Sequence, residues 1–173
     1  MPLLPIVLAS DENPVLTTKA SRVPRVDDAV RRLMDDMVDT MVDAHGAGLA
    51  APQVGVPLRV IVLRVDNQVY QLANPEMVRC EGEQTGYEGC LSVPGLIGEV
   101  TRCERVVAKG TNRHGKEIRV KGDGLLARAI QHEIDHLDGI LFTTRVNEGT
   151  LRPWDPVDDE ALAAEELEGE LLG

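Results

Sequence analysis

Aromatic residues are almost missing: one Trp, two Tyr and one Phe make up 2% of the 173 residues. A hydrophobic core must therefore be built from Val, Leu, Ile, Ala and Met, and aromatic stacking is excluded as a main route to nucleic acid. No apolar run approaches the ~20 residues needed to cross a bilayer. The opening MPLLPIVLAS is briefly apolar, but no basic stretch precedes it and Pro5 interrupts it, so it reads as an ordered first segment rather than a secretory signal. Basic charge is also short. The 18 Lys and Arg face 29 Asp and Glu, and the net charge of −11 argues against nucleic acid or an anionic membrane as the principal partner. Three cysteines, Cys80, Cys90 and Cys103, cannot all pair with one another, which favours a reducing compartment, the cytoplasm.

What is present suits one domain, with 43% hydrophobic and 27% charged residues. The acidity is uneven: eight acids fall from Asp155 onward with no Lys or Arg among them, so the rest of the chain carries only −3. Residues 1–150 are expected to form a catalytic domain and 151–173 an acidic tail, with a marginal short helix over 158–172.

Between residues 26 and 44, Val30, Leu33, Met34, Met37, Val38, Met41 and Val42 follow helical spacing, with Asp and Arg between them. That predicts an amphipathic helix whose Met stripe is core packing, with Gly46 placed to end it and His45 a helix-end residue. Residues 58–65 and 69–72 read as strands joined by an Asp66-Asn67 turn. Residues 105–109 and 117–120 flank the hairpin connection 112–115, on which His114 is solvated. A second helix is predicted over about 124–138, capped by Asp123 and followed by Gly139.

The sharpest signal lies on that helix, His132-Glu133-Ile134-Asp135-His136. An i, i+4 spacing puts both imidazoles on one helical face, where they can hold one ion, with Glu133 beside them as a general base. Two histidines do not complete a catalytic metal site. A His three residues beyond Gly139 would make a metzincin, but that position is Phe142. A downstream Glu ligand would have to be Glu160, Glu165 or Glu166, in the marginal acidic segment. Cys90 is the better candidate, because Gly89 before it lets backbone pass close to an ion or substrate. Cys80 and Cys103 have no such setting. After the first helix, small residues at 46–51 allow close approach of a peptide, and Gln53 offers an amide donor just beyond Pro52.

Together, residues 46–53, 88–92 and 131–139 resemble the three signature motifs of the peptide deformylases, in the family's order and at similar separations. The likeness extends to Val93-Pro94-Gly95, Asn74-Pro75, Asp123-Gly124 and Gly139-Ile140-Leu141-Phe142, and spans about 10–146. Three motifs coinciding are far more specific than the histidine motif alone. The resemblance implies one divalent metal held by Cys90, His132 and His136, with an open fourth place for water. Ferrous iron is the implied occupant, and zinc, nickel or cobalt are alternatives that a two-imidazole, one-thiolate set also suits. Glu133 would take a proton from the attacking water and pass it to the leaving amine of an N-formylmethionyl nascent peptide, releasing formate. The oxyanion would meet the metal, the Gln53 amide and the Leu91 N–H.

The resemblance also implies that the peptide binds as an added strand, between backbone at Ala47, Gly48 and Leu49 and backbone at Gly86 and Glu88. Helical spacing puts Arg128 and Ala129 one turn before His132, with Leu125 a turn earlier. Leu125 and Ala129 are expected to line the methionine pocket, with Arg128 near its mouth. Glu88 is expected to pair with Arg102 and hold the Cys90 loop. The expected fold is α+β: one compact domain with a mixed or antiparallel sheet around the histidine-bearing helix, plus the N-terminal amphipathic helix.

Two features depart from the family. Thr17 stands where Arg is frequent. The tail is acidic where some bacterial members end in a basic helix thought to dock on the ribosome, so direct nucleic-acid binding by this tail is not expected, nor is membrane binding. A monomer is expected. Two other readings stay open on the residues alone: a zinc peptidase with a downstream Glu ligand, and a catalytically silent peptide-binding protein of the same fold.

Overall fold

The apolar stripe near the N-terminus folds as α1 (Asp28–Asp43) in the computed structural model, which describes residues 3–154. Asp27 caps the helix, its Oδ1 accepting from the Val30 N–H at 2.9 Å. Met34, Met37 and Met41 are fully buried, so the stripe is core, as expected. The helix ends at Asp43, and the left-handed turn that follows falls one residue before the expected glycine. His45 takes the left-handed position at φ 58°, while Gly46 N–H donates to Met41 O at 2.9 Å and His45 N–H to Val42 O at 3.1 Å.

Seven strands follow α1 closely: β1 (Gly48–Ala50), β2 (Val60–Val65), β3 (Gln68–Glu81), β4 (Gln84–Cys90), β5 (Val93–Arg102), β6 (Arg105–Thr111) and β7 (Glu117–Asp123). Helix α2 (Gly124–Leu137) comes next, and β8 (Arg152–Pro153) closes the described chain. All ladders are antiparallel, in a five-stranded sheet β1-β2-β3-β6-β7 and a three-stranded sheet β4-β5-β8. Strand β2 is apolar from Val60 to Leu63 because both its faces are covered there, and it exposes Arg64 near its end. Ile61 and Leu63 pack with Ala127, Ala129, Ile130 and Leu137 of α2, whereas Val60 and Val62 pack with the methionines of α1. The larger sheet is thus sandwiched between the two helices. No helix among the described residues is long and apolar enough to cross a membrane.

The expected turns form where their chemistry allows. Asp66 and Asn67 both have positive φ, 53° and 63°, the hairpin turn that matches strand twist. The Asn112 side chain accepts from the His114 and Lys116 N–H groups at 3.0 Å. Asp123 stands before α2 but makes no capping bond with its side chain, since it is still paired with Arg105 as the last residue of β7. Gly139, at φ 75°, ends α2. A Cβ there would also lie 2.7 Å from the Thr17 carbonyl, so the position needs glycine twice over.

Cysteine usage corrects the sequence expectation. Cys80 and Cys103 form a disulfide, 23 residues apart with Cα atoms 5.6 Å apart. Antiparallel pairing of β3 with β6 brings the end of β3 to the β5–β6 connection, a long-range proximity that spacing along the chain does not reveal. Only Cys90 stays free. Strand β8 falls within 151–173 and pairs with Leu96 and Ile97 of β5, so the start of that segment is built into the fold. The helix expected at 158–172, and the candidate ligands Glu160, Glu165 and Glu166, lie outside the described residues.

Candidate metal centre

Strand β4 ends at Cys90, where a bulge between Gly89 and Cys90 tightens the hairpin so that Leu91 and Ser92 alone turn the chain into β5. Helix α2 presents His132 and His136 to the same point. The Cys90 sulfur and one nitrogen of each histidine lie within 4.8 Å of one another, and all three residues are buried. Cys90 Sγ is 3.4 Å from His136 Nε2, close to the separation of about 3.5 Å that two ligands of one tetrahedral ion span. Phe142 stacks beside the His132 ring at 6.2 Å.

The tautomer of His132 is fixed from behind. Its Nδ1 is 2.9 Å from Glu88 Oε1, and an ionised carboxylate only accepts, so the proton sits on Nδ1 and Nε2 faces the cysteine. Glu88 is wholly buried. Arg102 grips it with two bonds of 2.8 Å, and Arg128 adds a third at 2.6 Å. Burial opposes the Glu88 charge, but the bonds from Arg102 and His132 outweigh it and hold the carboxyl far below the usual range. Arg102 also donates to Asp135 at 2.7 Å. Asp135 is held from outside by Arg145, which lines an open cleft of about 440 Å³ with Arg102, Gln131 and Asp135.

Burial also works against charge on His132, yet Cys90, Glu88 and Glu133 together raise its proton affinity well above the ordinary value. The space between the three donors therefore draws positive charge. A buried thiol and two imidazoles in that setting fit a divalent ion.

Glu133 is fully buried beside this space. A Cβ on Gly48 of β1 would lie 2.5 Å from Glu133 Oε2, so glycine at 48 is what lets the carboxylate occupy its place. Gln53, in the short turn Ala51–Val54 after β1, is also fully buried. Its Oε1 accepts from the Ala50 N–H at 2.9 Å. That orients Nε2 toward Ser92 Oγ at 3.1 Å and Cys90 Sγ at 3.7 Å.

The family model for polypeptide deformylase matches residues 4–151. The chain belongs to the peptide deformylases. These are metal-dependent hydrolases that remove the formyl group from N-terminal formylmethionine. The peptide deformylase of Dehalococcoides mccartyi is 53% identical over 131 residues, 75% of this chain and 78% of that one. That of Thermomicrobium roseum is 45% identical over 165 residues, 90% and 94% of the two chains. The crystal structure of the Thermus thermophilus peptide deformylase has a TM-score of 0.79 at 41% identity, covering 94% of this chain and 92% of that one.

Seen as a deformylase, the molecule brings together Cys90, His132, His136, Glu133 and Gln53, and it pairs Glu88 with Arg102 as expected. Leu91 is the first residue of the turn after Cys90. Ala47, Gly48 and Leu49 lie at or beside β1, an end strand of the larger sheet, and Gly86 and Glu88 lie on β4, an end strand of the smaller one. Ala129 is in the core shared with β2, and Leu125 packs partly buried against it. Arg128 is the correction. It is 4% exposed rather than at a pocket mouth, and besides Glu88 it donates to the Val100 carbonyl at 3.1 Å. Helical spacing put it on the histidine face, and the buried Glu88 draws it inward. Ser92 and Asp135 also serve the site, through Gln53 and Arg102, and both sit inside the motifs without being marked by spacing. A small polar residue two places after the cysteine, and an acid between the histidines, were the available signals.

Proposed function

We propose that this chain deformylates N-formylmethionyl nascent peptides with one divalent ion, ferrous iron by family resemblance, held by Cys90, His132 and His136. The convergence of those three buried donors with Glu133 and the Gln53 amide is the observation that carries the reading. A bound ion would supply Lewis acidity toward the formyl group. Glu133 accepts a proton as a water oxygen bonds to the formyl carbon, and returns it to the nitrogen as the C–N bond breaks, leaving formate and a free amine. The Gln53 amide and the Leu91 N–H donate to the oxygen that gains charge on the way. The peptide runs as an added strand between β1 and β4, a placement supported by both being end strands. Leu125 and Ala129 flank the methionine side chain. The cytoplasm, where formylated chains emerge, is the proposed compartment; with Cys80 and Cys103 joined, cysteine usage no longer argues for it.

The test is anaerobic release of formate from formyl-Met-Ala-Ser by the wild type and Glu133→Ala, with bound metal quantified in both. Release by the wild type, lost in the variant with metal retained, is expected. No release from metal-loaded wild type would overturn the reading. Retention of metal by Cys90→Ala would instead favour a peptidase with another third ligand.

A further inference from the structure

The N-terminal segment crosses both loops that carry the proposed oxyanion donors. The Val7 N–H donates to the Gln53 carbonyl and the Ala9 N–H to the Ser92 carbonyl, each at 2.7 Å. Gln53 and Ser92 are joined a second time through their side chains, Nε2 to Oγ at 3.1 Å. A closed ring results, in which backbone 7–9 spans the same two residues as the side-chain bond. The segment is anchored at both ends. The Leu4 N–H donates to Thr40 Oγ1 of α1 at 2.9 Å, and the Leu8 N–H donates to Asp11 Oδ2 at 2.9 Å. The second bond folds the short turn Ala9–Asp11 back on the segment.

The ring joins parts that no strand pairing unites. Gln53 follows β1 of the larger sheet, whereas Ser92 turns the hairpin of the smaller one, and no ladder links the two sheets among the described residues. We propose that residues 7–9 act as positioning residues, setting the distance between the Gln53 amide and the Leu91 N–H. This rests on the oxyanion role given to those groups above. Donors fixed in advance are worth most where charge develops, and a displacement of about 1 Å can reduce a rate by about a hundredfold. Loosening one of the two clamps should reduce it by about tenfold.

Ala9→Pro opens one of the two clamps. Ala9 is the first residue of its turn, and Leu8 before it is extended at φ −97°, ψ 147°, the conformation that a following proline prefers. The substitution thus suits the local dihedrals, but it removes the N–H and sets the ring Cδ against the Ser92 carbonyl, so this clamp opens. Expected is kcat about tenfold lower, with KM and metal content unchanged, a melting temperature lower by only a few degrees, and faster hydrogen exchange in peptides covering 53–56 and 91–93. Combined with Gln53→Ala, the proline should add less than it does alone. Unchanged kcat in Ala9→Pro, while Gln53→Ala loses activity, would overturn the inference and leave the oxyanion reading intact. Unchanged kcat in Gln53→Ala would overturn that reading itself. An equal loss in Ala9→Gly, which keeps the N–H, would overturn the role of the hydrogen bond.

Discussion

Behind His132 lie five ionisable side chains in one network, Glu88, Asp135, Arg102, Arg128 and Arg145, whereas Gln53 and Ser92 across the site are held by neutral hydrogen bonds. Buried charge is costly unless every member is paired, and the network satisfies that condition with bidentate and shared contacts. In return it fixes the ring and tautomer of a ligand that must not drift. The opposite wall has another task. A full cation there would bind a formyl oxygen in the ground state as well, while fixed neutral dipoles favour the charge that develops during reaction. One side is built to retain an ion and the other to discriminate between states of the substrate. Damage to the first should therefore appear in metal content and stability, and damage to the second in kcat alone.

The largest break should come from Glu88→Gln. It keeps the shape but removes the carboxylate charge that Arg102, Arg128 and His132 share. Loss of one partner from a buried ion pair destabilises by about 3–5 kcal/mol, which at this size corresponds to roughly 10 °C or more in melting temperature. Metal affinity should fall by about 10–100-fold, measured by competition with a chelator. Unaltered melting and affinity would mean that the network is ornamental to the site.

Arg128→Leu comes next, since Arg102 still grips Glu88 with two bonds. Expected is about a tenfold weaker hold on the metal with KM unchanged, scored by the rate of metal loss to the same chelator. A raised KM with normal metal retention would instead return Arg128 to the peptide pocket. Gly48→Ala tests the boundary between the two sides. The new methyl would collide with Glu133 Oε2, so kcat should fall by about a hundredfold while metal content stays full, checked by steady-state kinetics and metal analysis on one preparation.

How much of this could be read from the chain follows the range of the interactions. Local periodicity placed α1, α2 and the two hairpin turns within a few residues, because helical spacing and positive-φ turn residues are short-range signals. The metal ligands were legible for a similar reason: two lie one helical turn apart and the third sits in a compact motif. Strands β4 and β5 carry no such signal. They alternate glycine, charge and apolar residues around the site, so no period of two stands out from Gln84 to Arg102. The Cys80–Cys103 disulfide and the inward turn of Arg128 depend on which strands meet, and the sequence carries no local mark of that. Gln53 could be singled out as a donor beyond Pro52, but its partner Ser92 lies 39 residues away.

Ser92→Ala should produce the smallest effect and the cleanest separation. Its hydroxyl accepts from Gln53 Nε2, and a neutral bond of this kind contributes about 1 kcal/mol. If all of that serves to aim the amide, kcat falls by about fivefold with KM and metal content unchanged. The backbone clamp from Ala9 remains in this variant, which is why the loss should stay below that of the Gly48 substitution. The informative readout is the metal, because Gln53 Nε2 also lies 3.7 Å from Cys90 Sγ. Should Ser92→Ala release the ion as readily as Arg128→Leu, the neutral wall would be supporting the thiolate as well as the oxyanion donors. The division between an ion-holding side and a state-discriminating side would then give way to a single coupled shell.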